Sequence, residues 1–129
     1  MATPIVLAYN LSTATEALLE VVCNSRRVQL KPVSPEEYSR AIGSLAGIPM
    51  HQASAAERDV RFPEPMLVMC HMLKPELDAF LDALRQSGAP SIPLKAILTP
   101  TNATWNARML RDELMREHEA VMRKLGKRP

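Results

Sequence analysis

The sequence predicts a single α/β domain over residues 1–129, built on a small four-stranded, mainly parallel sheet. Short apolar runs alternate four times with segments that carry helix signals. The chain has 129 residues, which is the length of one domain. Its hydrophobic fraction of 47% and charged fraction of 23% are those of a globular protein. With 8 Met and only 4% aromatic residues, the core must be aliphatic and rich in methionine.

The first half of the chain contains two strand signals and two helix starts. The apolar run Ile5–Asn10 predicts a strand, and Thr13-Ala-Thr-Glu16 is a capping box that opens a helix. Val28–Val33 predicts a weaker strand, whose proline suits an edge position. Ser34-Pro-Glu-Glu37 predicts the start of a helix that carries Tyr38, Ile42 and Leu45 and ends at Gly47.

The connection over residues 49–65 interrupts this alternation. It contains three prolines and a polar stretch without periodicity, and we predict a loop or lid. His51 lies in this stretch and is expected to be a solvated loop side chain.

The second half repeats the order of strand and helix. Met66–Met72 is the most apolar strand and should be central. A helix begins near Pro75 and ends before Gly88, and Leu94–Leu98 predicts the fourth strand. The last helix is the longest, with an apolar stripe at spacings of three and four that includes Ala103, Ala107, Leu110, Leu114, Val121 and Leu125. Met115 and Met122 flank this stripe and could widen it into a face for a partner.

The two halves share one pattern, with Tyr9-Asn10 and Cys70-His71 at matching strand ends. If the halves are duplicated, the simplest sheet has the strand order 2-1-3-4. Right-handed crossovers in a parallel sheet would then place the first and third helices on opposite faces. The alternative is a ferredoxin-like α+β sheet with an extra helix.

Charge and hydropathy exclude several classes of protein. The formal net charge is +2, and the excess lies in a basic tail, residues 123–129, which is more typical of a solvated helix end than of a nucleic-acid arm. We therefore do not expect nucleic-acid binding. The start of the chain has no basic segment followed by a signal-length apolar run, and no run could span a membrane. These features predict a cytoplasmic protein without a membrane partner, in which Cys23 and Cys70 are reduced thiols.

The third strand holds the densest group of reactive side chains, including Cys70 and His71. Alternation along a strand sends these two side chains to opposite faces, so they cannot share a metal. A nucleophilic Cys70 would need His51 or His118 as its base, and an inert, buried thiol is more common. We predict no catalytic residue, no metal site and no cofactor.

The exit of the fourth strand is a stronger candidate for a site. Thr99, Thr101 and Asn102 cluster there before the long helix, Lys95 adds charge, and Trp105 follows. Free N–H groups at a helix N-terminus favour an anion. The structural alternative is that Thr101 or Asn102 caps the helix while Trp105 anchors it to the sheet.

The stretch Leu94-Lys-Ala-Ile-Leu-Thr-Pro-Thr-Asn-Ala-Thr-Trp105, followed by Leu110, Glu113, Leu114, Glu117 and His118, resembles the microbial family catalogued as domain of unknown function 3783. Met66-Leu-Val-Met69 and Glu76–Leu84 also resemble that family, as do, more loosely, Leu7–Asn10 and Ser44-Leu-Ala-Gly47. The family has no established activity. The resemblance implies a shared site around Lys95, Thr99, Pro100, Thr101, Asn102 and Trp105, extending to Glu117 and His118, without naming a ligand.

We expect a small binding or regulatory module that recognises an anionic small molecule or a peptide at the carboxyl ends of the strands. Tyr9, Asn10 and His71 would converge there with Thr99, Thr101 and Asn102, beneath residues 49–65 as a lid. The alternative is a homodimeric interaction module that uses the long last helix. An enzyme is not favoured, because no carboxylate pair, metal-ligand spacing or glycine-rich phosphate loop is present.

Overall fold

The computed structural model describes residues 3–49 and 60–126. In these two ranges the chain forms four strands and four α-helices, with a short 3-10 helix ahead of α2 and of α4. In chain order they are β1 (Ile5–Tyr9), α1 (Thr13–Ser25), β2 (Gln29–Pro32), the first 3-10 helix (Pro35–Glu37), α2 (Ile42–Leu45), β3 (Met66–Cys70), α3 (Lys74–Gln86), β4 (Leu94–Ile97), the second 3-10 helix (Asn102–Thr104) and α4 (Ala107–Gly126).

The four strands form one sheet in the order β2-β1-β3-β4. The pairs β1–β2 and β3–β4 are parallel, and the central pair β1–β3 is antiparallel. The mainly parallel α/β sheet and its strand order are thus confirmed. All five residues of β3 are buried, as expected for a central strand.

The two long crossover helices lie on the same face of the sheet. Leu19 of α1 and Phe80 of α3 belong to one apolar cluster with Val6 and Leu67, whose side chains point to that face. The prediction that the first and third helices lie on opposite faces is wrong. Because β1 and β3 are antiparallel, the two halves are related by rotation about an axis perpendicular to the sheet, and such a rotation keeps both helices on one side.

The other face of the sheet is covered by α2, α4 and the segments that precede them. Leu7 of β1 and Val68 of β3 point to this face and pack with Ile42 of α2 and with Leu110 of α4. The sheet is therefore enclosed between two helical layers, with α4 lying on the face opposite to α1 and α3.

The halves repeat each other in backbone detail. α1 and α3 each contain 13 residues, and the residue that leaves the preceding strand has a positive φ in both, 62° at Asn10 and 64° at His71. A hydroxyl residue followed by proline comes after each outer strand, as Ser34-Pro35 and as Thr99-Pro100. These coincidences support the duplication of one β-α-β unit with its following helix.

The first residues of α2 and of α4, the two helices on this second face, are hydrogen-bonded to the other half of the domain. The Ile42 N–H donates to the Trp105 carbonyl at 2.9 Å, and the Ala107 N–H donates to the Tyr38 carbonyl at 3.0 Å. This exchange explains two errors in the predicted helices. The helix predicted from Ser34 is interrupted between Glu37 and Ile42, and the last helix begins at Ala107 rather than near residue 103.

The capping box predicted at Thr13-Ala-Thr-Glu16 is displaced by one residue, because the N-cap of α1 is Ser12, whose Oγ accepts from the Thr15 N–H at 3.1 Å. The ends of α2 and α3 follow the glycine signals. Gly47 and Gly88 follow α2 and α3 with φ of 92° and 84°, the left-handed conformation that glycine adopts without strain. No helix within the described residues is long and apolar enough to cross a membrane. Most of the predicted loop or lid, including His51, and the end of the basic tail lie outside the described residues.

Residues 60–65 are tied to α4. Two nitrogens of Arg111, Nε and Nη2, donate to the two carboxylate oxygens of Glu64 at 2.9 and 2.8 Å. Arg108 Nη1 donates to the Arg61 carbonyl at 3.0 Å. Phe62 is buried between Tyr9 and Tyr38, with ring centroids 6.2 and 5.2 Å away. This segment thereby fixes the position of α4 on the sheet.

Candidate functional site

Asn10 has a structural role at the end of β1. Its Nδ2 donates to the carbonyls of Phe62 and Glu64 at 2.6 and 3.0 Å, and its Oδ1 accepts from the Tyr38 hydroxyl at 2.8 Å. Tyr9 precedes it with its ring fully buried. Neither side chain is available to a ligand in this arrangement.

His71 lies at the opposite end of the sheet from Asn10. In the antiparallel register Ile5 faces Cys70 and Tyr9 faces Met66, so the two turns are separated by the length of a strand, about 17 Å. His71 Nε2 donates to the Ala46 carbonyl at 3.0 Å. The predicted convergence of Tyr9 and Asn10 with the exit of the fourth strand therefore does not occur.

Asn102 organises the turn after β4. Its Oδ1 accepts from the Thr99 N–H at 2.9 Å, its Nδ2 donates to the Ile97 carbonyl at 3.0 Å, and its backbone N–H donates to Thr99 Oγ1 at 3.1 Å. Only 8% of Asn102 is exposed. The hydroxyl of Thr99 and the amide of Asn102 thus serve the turn itself.

The Asn102 amide also closes one end of the free edge of β4. Leu98 donates its N–H to Met69 of β3, so alternation directs the backbone groups of Lys95, Ile97 and Thr99 away from β3. Asn102 pairs with two of these outward groups, much as a neighbouring strand would. Within the described residues β4 has no other strand beside it, so the backbone around Lys95 remains an open edge.

The cap of α4 is also different from the predicted one. Asn106 Oδ1 accepts from the Met109 N–H at 2.9 Å, as an N-cap side chain does. Neither Thr101 nor Asn102 precedes α4 directly, because the second 3-10 helix lies between. The cluster of hydroxyls therefore does not surround the N-terminus of α4, and the argument for an anion there loses its main support.

An open groove lies between the free edge of β4 and the first half of α4. Its volume is about 360 Å³. Its lining comes from three parts of the chain: Lys95, Ala96 and Ile97 of β4; Thr99, Thr101, Asn102 and Trp105 of the turn; and Leu110, Glu113, Leu114 and Glu117 of α4. We call it the β4–α4 groove.

The β4–α4 groove brings together five of the eight predicted site residues, namely Lys95, Thr99, Thr101, Asn102 and Trp105. Glu117, which the family resemblance implied, lies in the same groove. Leu110, Glu113 and Leu114 were not predicted as site residues. They precede Glu117 by seven, four and three residues, which places all four on one face of a helix, and this spacing could have revealed them.

The groove combines an apolar wall with an acidic rim. Trp105, Leu110 and Leu114 supply the apolar surface, and the carboxylates of Glu113 and Glu117 lie along α4 beside it. Arg116 pairs with Glu113 at 2.7 Å, and Lys95 Nζ donates to the Ile92 carbonyl. Glu117 forms no ion pair with a described residue, so one unpaired carboxylate remains in the lining. Together with the apolar wall, it suits apolar and basic groups better than a small anion.

The two thiols are not activated. Cys23 and Cys70 are free and buried, and burial raises the pKa of each thiol to about 12. A thiol with such a pKa is protonated at neutral pH and is a poor nucleophile. Among the described residues, no group of three or more His, Cys, Asp or Glu side chains could hold a metal ion.

Comparison with known proteins identifies part of the chain. No curated protein and no solved structure matches it significantly. Residues 65–121 match the family model described as "Domain of unknown function (DUF3783)". The matched segment runs from β3 into α4 and includes every residue that lines the β4–α4 groove. The resemblance predicted from the sequence is confirmed for residues 65–121, which match the model of the DUF3783 family, and the looser resemblance at residues 7–10 and 44–47 lies outside the match.

Proposed function

We propose that this chain is a protein-interaction module whose β4–α4 groove binds a protein segment carrying apolar and basic side chains. The observation that carries the proposal is the composition of the groove, an apolar wall of Trp105, Leu110 and Leu114 beside the carboxylates of Glu113 and Glu117. Apolar side chains of a partner would be buried against the wall, and a basic side chain would meet the acidic rim.

A small anion suits the same site less well. Hydrogen bonds within the turn occupy the Thr99 and Asn102 side chains. The lining of the groove contains two carboxylates and a single cation, Lys95. Thermal melting in inorganic phosphate tests this directly. The proposal predicts no increase in melting temperature that depends on Thr101, because ligand binding would otherwise stabilise the native state. An increase that Thr101→Ala removes would favour the anion.

Selection from a displayed library of random peptides tests the interaction module. Peptides enriched on the wild-type chain should carry Leu, Met or Val together with Lys or Arg. They should bind at least tenfold more weakly to Glu117→Lys, which reverses a charge in the groove. Glu20→Lys, an exposed residue on α1, is the matched control and should leave binding unchanged. Peptides that bind Glu117→Lys as well as wild type would contradict the proposal.

We also propose a cytoplasmic location. Both cysteines are buried as free thiols, which suits a compartment that keeps thiols reduced.

A further inference from the structure

The second half of α4 extends beyond the folded body. Ala107 and Leu110 are buried and Leu114 is partly buried, but every residue from Arg116 to Leu125 is exposed. These ten residues of helix are about 15 Å long. They include three large apolar side chains, Val121, Met122 and Leu125, each more than half exposed, at 55%, 52% and 51%.

The exposed apolar residues continue the face of α4 that lines the groove. At about 100° per residue, Leu110, Leu114, Val121 and Leu125 fall within one sector of roughly 60°. The apolar face that packs against the body in the first half of α4 therefore continues in the second half as side chains that are more than half exposed. A single exposed Leu is ordinary, whereas a continued stripe marks an interaction surface.

We propose that a second copy of this chain covers this surface, through antiparallel pairing of the two α4 helices about a twofold axis between Glu119 and Ala120. In this register Leu114 of one copy packs against Leu125 of the other, and His118 packs against Val121. The twofold repeats each contact, giving four layers at the spacing of a coiled coil. The proposal rests on the proposed function, since it names the occupant of the same surface.

The flanking residues fit the antiparallel register. Glu117 and Lys124 occupy equivalent positions beside the apolar seam, so each Glu117 lies beside the Lys124 of the other copy. Met115 and Met122 meet in the same way on the other side of the seam. In-register parallel pairing would instead place Glu117 beside Met122 of the other copy, so the pairing of opposite charges would be lost.

The pairing also explains the position of the β4–α4 groove. In the antiparallel register the end of one helix, with Leu125 and Lys124, lies against Leu114 and Glu117 of the other copy, at the mouth of its groove. Each helix end would then bring to the groove the apolar and basic side chains that its lining favours. The contacts are reciprocal, as a symmetric dimer requires.

Sedimentation equilibrium over a wide range of protein concentration tests the dimer. The wild-type chain should fit a monomer–dimer equilibrium. Val121→Asp should raise the dissociation constant about 100-fold, since the substituted residue enters the interface twice. Val21→Asp is the matched control, because Val21 is 67% exposed on α1, away from the proposed interface. A monomeric wild type, or a dimer that Val121→Asp leaves intact, would overturn the proposal.

A charge exchange tests the register. Glu117→Lys and Lys124→Glu should each weaken the dimer about tenfold, because each places like charges together in both symmetric contacts. The variant that carries both substitutions restores opposite charges and should regain most of the wild-type affinity. Additive weakening in the double variant would exclude antiparallel pairing in this register.

The two proposals can fail separately. A monomeric wild type that still selects peptides in a Glu117-dependent manner would overturn the dimer and support the interaction module. Both proposals would be overturned if the α4 substitutions left the dimer dissociation constant unchanged and the selected peptides bound Glu117→Lys as tightly as wild type.

Discussion

At the scale of single residues, three asparagine side chains hold this fold at its turns. Asn10 joins the end of β1 to Phe62 and Glu64, Asn102 binds the backbone that leaves β4, and Asn106 caps α4. An amide can both donate and accept, so one side chain satisfies backbone groups of both kinds. These residues could be recognised as turn formers from the sequence, but their partners are distant or depend on the exact turn, and could not be predicted.

Replacing Asn102 should destabilise the fold rather than remove a ligand contact. Asn102→Ala leaves the Ile97 carbonyl and the Thr99 N–H without their partner, and we expect the free energy of unfolding to fall by about 2 kcal/mol. Urea denaturation measures the loss. Thr101→Ala, at an exposed neighbour, should change it by less than about 0.5 kcal/mol. Equal stability of Asn102→Ala and wild type would contradict this role.

Removing the hydroxyl group of Tyr9 and removing that of Tyr38 should have different effects on stability. The Tyr9 hydroxyl is buried and has no hydrogen-bond partner in the described part of the chain, whereas the Tyr38 hydroxyl donates to Asn10 at 2.8 Å. Tyr9→Phe should therefore leave stability unchanged or raise it by about 1 kcal/mol, and Tyr38→Phe should lower it by about 1–2 kcal/mol. Thermal melting of both variants checks the contrast, which fails if Tyr9→Phe proves the more damaging.

At the scale of elements, the ends of helices depend on contacts between the two halves. Capping and glycine signals located α1 and α3 to within a residue or two, because those helices are closed by their own sequence. The starts of α2 and α4 instead bind the Trp105 and Tyr38 carbonyls across the domain. A local pattern contains no information about that exchange, and the helices predicted there were too long.

The tie between α4 and residues 60–65 should make the domain sensitive to acid. Hydrogen bonding from Arg111 holds the pKa of Glu64 below its usual value. A carboxyl group with a lowered folded-state pKa contributes stability above its unfolded pKa, near 4.3, and loses it as the pH falls through the folded value. The stability of the wild type should therefore fall below about pH 4.5 more steeply than that of Glu64→Gln.

Denaturation at a series of pH values from neutral to acid measures this difference. Glu20→Gln, at an exposed site on α1, is the matched control and should retain the wild-type slope. If Glu64→Gln also retains the wild-type slope, the ion pair with Arg111 does not contribute to stability.

At the scale of the whole molecule, the direction of β3 was the main feature that the sequence could not reveal. Apolar alternation is the same for a strand in either direction, so the strand order was predictable but the antiparallel central pair was not. That pairing separates Asn10 and His71 and leaves the exit of β4 alone as a candidate site. Ser34-Pro35 and Thr99-Pro100, which follow the two outer strands, are a sign of duplication that can be read from the sequence itself.

The helices that follow the two outer strands differ in length, and this difference accounts for the groove at the free edge of β4. α2 ends after four residues, whereas α4 continues for 20 and extends along and beyond the free edge of β4. The second half of the duplicated unit thus supplies both the groove and the exposed helix that we propose to fill it in a second copy. Residues 65–121, which match the DUF3783 family model, contain the groove and the helix as far as Val121.

The most direct test of the account is to add α4 back to a chain whose own pairing is blocked. The indole N–H of Trp105, the single tryptophan, gives one resolved signal in a nitrogen-15 NMR spectrum of Val121→Asp, whose substitution enters a complex with the wild-type peptide once rather than twice. Titration with a synthetic peptide of residues 107–126 should shift this signal together with the amides of Leu114 and Glu117. A peptide bearing Lys124→Glu should require about ten times the concentration. An unmoved indole signal, or shifts confined to α1 and α3, would contradict the β4–α4 groove as the binding surface.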